Sequence, residues 1–378
     1  MSSIDNLFAC RPYEAGPQTK SSVLLPAVRE AMAHHYSHCE LFRRFCEARG
    51  FNPAKPLDSL LDVPYFPVTV FKRLDLRSTD DIIRVLNSSA TSSQTPSRIA
   101  LDNITRNRQM RVLAAILGDV IGASRRPFIV LDAPPSDVRQ DNGNALALSA
   151  RIAGMRGYLL AASEIHYVLS DVAGRPVPDI DKLRNVAAQF VADNAAICVL
   201  AYTYILYKYV VRPLYDAGIQ IELPPSAFVL HFGGWKRLQD EAVDKATLNR
   251  MIGEVFKIPR NRIRDIFGFT EQLGIIYPDD ENGVKRTPVY SEVIVRDPMT
   301  LLPVSDGQPG LLQFLTPLPH SYPGVSVLLD DMGRIITREP SEEGRYGTGF
   351  EIIGRAVGAE IRGCGDTLPT RVYEVTGP

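Results

Sequence analysis

Two unbroken apolar runs, Phe128-Ile129-Val130-Leu131 and Ala195-Ala196-Ile197-Cys198-Val199-Leu200, constrain the fold more than any other feature of this chain. A strand with one wet face alternates apolar and polar residues, so a continuous run bounded by turn residues fits a strand covered on both faces, as in a parallel sheet between helices. Helical spacing of apolar residues surrounds the runs. It predicts helices over 104–117, 184–193 and 202–215, the last interrupted near Pro213. Another helix is predicted over 23–49, with Leu24, Leu25, Val28, Met32, Phe42, Phe45 and Cys46 on its apolar side and a stop before Gly50. Helices alternating with buried strands imply an α/β protein of layered parallel sheets.

From about residue 284 the texture changes to short strands divided by Pro and Gly, including 290–295 and Gly310-Leu311-Leu312-Gln313-Phe314-Leu315. This predicts a β-rich subdomain over about 284–350. At 378 residues, 45% of them hydrophobic, the chain can bury a core larger than one simple layer.

Charge and cysteine usage exclude several function classes. A formal net charge of −1 gives no global field to hold nucleic acid or an anionic membrane. No apolar run reaches the roughly 20 residues of a membrane helix, and Met1-Ser2-Ser3-Ile4-Asp5 does not read as a leader, so a cytoplasmic location is expected. The five cysteines show no Cys-x-x-Cys pair and read as thiols, with Cys39 and Cys46 in the core. His34 and His38 share a helical face, but no Glu follows His34 as a metalloprotease motif requires. No Gly-x-Ser-x-Gly elbow is present for a serine hydrolase.

Three segments carry chemistry. In Phe267-Gly268-Phe269-Thr270-Glu271 a hydroxyl and a carboxylate stand together after an aromatic-glycine turn, which suits a phosphate oxygen and a hard cation such as Mg²⁺; the same five residues also fit an ordinary strand-to-turn segment. Residues 87–98 form a hydroxyl-dense loop, including Ser88, Ser89, Thr91 and Ser92, able to wrap phosphate oxygens or simply to be solvated. His231-Phe232-Gly233-Gly234-Trp235-Lys236 pairs two glycines with the only tryptophan, as a turn pressing backbone against a flat ligand, or a hairpin beside a core tryptophan, would do.

In this order the segments resemble the motif series of adenylate-forming enzymes, the superfamily of acyl-CoA synthetases, adenylation domains and firefly luciferase. A closer resemblance, to the acyl-protein synthetases of bacterial bioluminescence, covers almost the whole chain. It is carried by 35–39, Val63-Pro64-Tyr65-Phe66-Pro67 with 68–72, Gly233-Gly234-Trp235-Lys236, 263–267, 297–307 and Ser321-Tyr322-Pro323. The same branch includes adenylating proteins of phenazine-antibiotic pathways, of the griseoluteic acid type.

The resemblance implies ATP-dependent activation of a carboxylic acid, fatty or aromatic, as an acyl-adenylate, followed by transfer to a cysteine or to a partner acyl or aldehyde-forming reductase. It implies a phosphate loop at Ser88, Ser89, Thr91 and Ser92 and an adenine-side turn at Gly233, Gly234 and Trp235. Thr270 and Glu271 would contact phosphate and Mg²⁺, with Glu271 as metal ligand, and Phe267 and Gly268 would belong to the nucleotide site. Asp331 matches the ribose-binding aspartate, Gly354-Arg355 the entrance to a C-terminal domain, and Cys364 the acyl-accepting cysteine. The expected division is a main body over 1–350 and a truncated segment over 351–378.

The chain departs from the pattern in two places. Ala90 and Ser93 stand where the family has loop glycines, and the catalytic lysine of the C-terminal domain has no counterpart. Lys72 and Lys236 offer cations nearby in sequence, though each also fits a solvated surface. The loop departure leaves a second reading, a noncatalytic nucleotide or carboxylate binder.

Overall fold

The computed structural model describes residues 2–87, 96–134, 155–172, 175–235 and 241–356. Both apolar runs lie in one six-stranded sheet. Its order is β11 (Tyr277–Pro278), β10 (Ile263–Phe267), β9 (Phe228–Phe232), β8 (Cys198–Tyr202), β4 (Arg126–Leu131) and β5 (Ala162–Tyr167). All neighbours are parallel except β10 with β11. Residues 128–131 of β4 and every residue of β8 are buried, which is why these stretches read as continuous apolar runs.

The second sheet, also six-stranded, is the β-rich part anticipated from residue 284. It runs β12 (Lys285–Arg286), β16 (Gly349–Arg355), β15 (Ser326–Thr337), β14 (Gly310–Leu315) and β13 (Glu292–Arg296), and is antiparallel along that path. β1 (Phe66–Pro67) joins β15 in parallel, so a distant N-terminal segment completes the sheet. Residue 350 lies within β16, where Phe350 is fully buried.

The sheets meet through aromatic rings. Tyr277 lies 4.8 Å from Phe314 and 5.4 Å from Phe350, and Phe267 and Phe269 pack on Phe314 at 5.8 and 5.4 Å. Each such pair adds about 0.5–1.5 kcal/mol beyond area burial. The strand end carrying the aromatic-glycine segment is thereby fixed to both sheets.

Helices differ from the sequence expectation at their ends. Residues 23–49 form not one helix but two, Pro17–His38 and Glu40–Ala48, parted at Cys39, whose φ of −124° and ψ of 105° are extended. No Gly or Pro marks the break. It turns the second apolar stripe, Phe42 and Cys46, into the core, where tertiary packing outweighs local preference. The first helix starts at Pro17, a favoured opening position. The helix expected over 104–117 is Asn103–Ile121, capped by Asp102, whose Oδ1 accepts from the Thr105 amide at 2.7 Å.

The interruption foreseen near Pro213 lies one turn earlier, as a π-helical stretch Leu206–Val211. Proline lacks the amide that would bond the carbonyl four residues back, and the chain widens just before it. No helix among the described residues is long and apolar enough to cross a membrane.

Candidate active site

β9 and β10 are parallel neighbours, with Phe232 opposite Ile266, so the turns that follow them emerge on the same edge of the sheet. The edge beyond the carboxyl ends of parallel strands is the usual ligand position in open α/β sheets. After β9 come Gly233 and Gly234, with φ of 89° and 62°. These left-handed values favour glycine and explain the Gly-Gly pair. Trp235 follows and meets the Tyr207 ring edge-on at 4.9 Å. Tyr158 stacks on Phe232 at 4.9 Å and Tyr202 packs on it at 4.6 Å, so aromatic rings wall this edge.

After β10 the chain passes Gly268 and enters a 3₁₀ turn, Thr270–Gln272. Thr270 is half-buried, whereas Glu271 is only 2% exposed. The Ser97 hydroxyl donates to Glu271 Oε1 at 2.6 Å, and the Tyr322 hydroxyl donates to the Glu271 carbonyl at 2.9 Å. Gln272 Nε2 donates to the carbonyls of Phe314 and Gly324, at 3.1 and 2.9 Å. The carboxylate therefore sits on a rigid segment anchored to the second sheet.

β2 (Arg84–Asn87) and β3 (Arg98–Leu101), the strands on either side of the hydroxyl-dense segment, pair antiparallel, and β3 rather than a helix follows that segment. Ser88, Ser89, Thr91 and Ser92 lie outside the described residues, as do Lys236 and Cys364. Ser97, next to β3, is the described part of that segment which reaches Glu271.

Asp331 and Arg355 are register partners on β15 and β16, and their side chains form an ion pair at 3.5 Å. Lys72 lies in the short helix Val70–Arg73 and is half-buried rather than fully solvated. Burial pushes the thiols of Cys46 and Cys198 up to about 12, and Cys39 is also raised, so these cysteines behave as core residues.

Sequence reading missed a buried polar network beneath the two turns. His231 Nδ1 meets Thr203 Oγ1 at 3.0 Å and lies 3.7 Å from Asp265 Oδ1. Lys285 Nζ donates to Asp265 Oδ2 and Asp279 Oδ1 at 3.0 and 3.1 Å, and Lys245 pairs with Asp279 Oδ2 at 2.6 Å. Lys285, with His231 and Lys245, holds the Asp265 carboxyl well below its usual range against the opposing effect of burial, while burial lowers His231. The available signal was His231 in an otherwise apolar strand and the adjacent charges Arg264 and Asp265 in the next one. Their partners come from three other segments.

Among the described residues no group of three or more His, Cys, Asp or Glu side chains could hold a metal ion. Glu271, one carboxyl on a fixed turn, could supply a single hard oxygen ligand to a cation.

The family model described as acyl-protein synthetase, LuxE, matches residues 1–372. The long-chain-fatty-acid–luciferin-component ligase of Aliivibrio fischeri is 26% identical over 371 residues, covering 96% of this chain and 92% of the relative. The corresponding ligase of Vibrio harveyi is 25% identical over 364 residues, covering 95% and 91%. Among solved structures, 2-hydroxyisobutyryl-CoA ligase in its postadenylation state matches with a TM-score of 0.64 at 14% identity, over 91% of this chain and 69% of that one. The last likeness bears on the fold alone.

Proposed function

Because the chain belongs to the LuxE acyl-protein synthetase family and is an acyl-protein synthetase-like ligase, we propose that it activates a long-chain fatty acid with ATP and passes the acyl group to Cys364 or to a partner reductase. The observation that carries this reading is the bond from Ser97 to Glu271, which ties the base of the hydroxyl loop to the carboxylate of the aromatic-Gly-x-Thr-Glu segment.

In this reading the acid's carboxylate oxygen attacks the α-phosphorus of ATP, a new O–P bond forms, and pyrophosphate leaves with the electron pair of the broken bond. The carboxylate is already ionised at neutral pH, so no general base is needed. The obstacle is an anion approaching an anion, which positioned donors relieve. Hydroxyls of Ser88, Ser89, Thr91, Ser92 and Thr270 would donate to phosphate oxygens. The backbone of Gly233 and Gly234, with Trp235, would border the adenine, and Phe267 and Gly268 would shape the turn below it. Asp331, oriented by Arg355, would accept from the ribose hydroxyls and fix the α-phosphorus relative to the acid. Mg²⁺ held by Glu271 would neutralise phosphate charge.

Transfer follows when the Cys364 thiolate attacks the acyl carbonyl and AMP departs, leaving a thioester that the reductase can draw on. The protein would work in the cytoplasm, with a main body to residue 350 and the acceptor cysteine in the segment over 351–378.

A second reading, an aromatic acid such as a phenazine carboxylate, is favoured by the aromatic wall of Tyr158, Tyr202, Tyr207, Phe232 and Trp235. ATP–pyrophosphate exchange with saturated fatty acids of graded length and a set of aromatic acids tests both. Exchange driven by fatty acids alone supports the first reading. Exchange driven only by aromatic acids replaces it, and absence of exchange with every acid leaves the noncatalytic binder.

A further inference from the structure

A cavity of about 340 Å³ opens at the end of the parallel sheet opposite the candidate active site, lined by Arg126, Phe228, Arg262, Arg264, Glu343 and Arg345 among others. Its position follows from strand direction. Arg126 opens β4, Phe228 opens β9, and Arg262 and Arg264 flank the first residue of β10, so the residues gather at the amino ends of parallel neighbours. The turns of the candidate active site leave the carboxyl ends, roughly 13 Å away along a five-residue strand.

The Phe228 ring holds three guanidinium groups, with the central carbons of Arg262, Arg126 and Arg264 at 4.6, 5.8 and 5.9 Å from its centroid. Arg345 is neutralised by Asp119 and Glu343, each at 2.8 Å. Among the described residues Arg126, Arg262 and Arg264 form no such ion pair. Arg264 is only 2% exposed, yet among the described residues it reaches just one acceptor, the Asp280 carbonyl at 3.0 Å. Its Nε and the Nε of Arg126 are buried with no hydrogen-bond partner among the described residues. Burial and the nearby positive charge of Arg345 both work against the Arg264 charge.

Burying a guanidinium with neither anion nor full hydrogen bonding is costly, and such a group is normally paired. The guanidinium fork matches the spacing of phosphate oxygens, and the cavity lies in the size range of small-ligand sites. We propose that this cavity binds a small phosphoryl anion, either free pyrophosphate or the diphosphate of a nucleotide, between Arg126, Arg262 and Arg264. It is a second anion site, separate from the carboxyl-end edge.

Calorimetric titration of the full chain with inorganic pyrophosphate, and separately with ADP, tests this. Arg262→Met and Arg126→Met, at two positions that are not fully buried, should each weaken pyrophosphate binding by at least about tenfold, while Glu271→Gln leaves that event in place. ADP binding with the same arginine dependence assigns the site to nucleotides, and its absence assigns it to the free anion. Pyrophosphate affinity unchanged in both arginine variants, lost in Glu271→Gln alone, or undetectable at millimolar concentration in the unaltered chain overturns the proposal.

Discussion

Ser97 and Glu271 are 174 residues apart in sequence, yet the Ser97 hydroxyl donates to Glu271 Oε1 at 2.6 Å with both side chains buried. The bond closes a bridge between the β2–β3 pair and the turn after β10. A carboxyl oxygen accepting from a hydroxyl away from water makes an orienting contact, because the low local dielectric strengthens the hydrogen bond.

Glu271→Gln is expected to abolish Mg²⁺-dependent pyrophosphate exchange while the thermal midpoint and circular dichroism stay near those of the unaltered chain. Ser97→Ala should keep exchange but slow it by up to about tenfold, since it removes one hydrogen bond to Glu271 worth roughly 0.5–1.5 kcal/mol. Exchange at the original rate in Glu271→Gln would rule out this carboxylate as the metal ligand.

Asp331→Ala should weaken ATP binding by roughly 1.5–3 kcal/mol in calorimetry. Asp330 is the neighbouring control, because successive strand residues face opposite sides and a one-residue error in register selects the wrong face. Reduced affinity in Asp330→Ala with none in Asp331→Ala would move the ribose contact to Asp330.

Cys364→Ser should still form acyl-adenylate but gain no covalent acyl group, because a serine hydroxyl without an activating base is a poor acceptor. Intact mass after incubation with ATP and the activating acid, followed by hydroxylamine release, reads this directly. An unaltered chain that makes adenylate without a hydroxylamine-labile adduct would remove Cys364 from the reaction.

Stability should fall as pH drops from 7.5 to 5.5. Burial lowers the pKa values of His35 and His231 in the folded chain, and His34 is lowered as well. His35 bridges Ser78 at 2.7 Å and the Pro319 carbonyl at 3.2 Å, an arrangement suited to the neutral ring. The unfolded chain takes up these protons first, so the histidine contribution is fully present above the ordinary value near 6.5 and is lost as pH falls below it. Urea midpoints at the two pH values check this. His35→Gln should show a smaller drop between them, and an equal drop would count against His35 as a source.

Gly274→Ala should destabilise the chain by about 1–3 kcal/mol and slow exchange. Gly274 has φ of 95°, and an added Cβ would lie 2.6 Å from Gln109 Cα in the helix Asn103–Ile121, so the loop after Glu271 would have to lift. A thermal midpoint identical to the original would show that the loop has more room than this geometry allows.

The chain's own pattern determined the layers. Runs such as 128–131 and 195–200 are apolar on both faces and bounded by turn residues, which fits strands covered on both sides, and their alternation with helically spaced segments gave the α/β body. The Gly233-Gly234 turn and the 267–271 segment were legible too, since positive φ and adjacent hydroxyl and carboxylate leave marks in residue type. Tertiary structure alone decided the break at Cys39, the seating of Phe66 and Pro67 beside β15, and the ties from Ser97, Tyr322 and Lys285 to the candidate site. Each joins segments far apart in the chain, and an isolated serine or lysine carries no sign of the buried carboxylate it will meet. The arginines around Phe228 are of the same kind, because parallel strand starts that are scattered in sequence become neighbours only when the sheet forms.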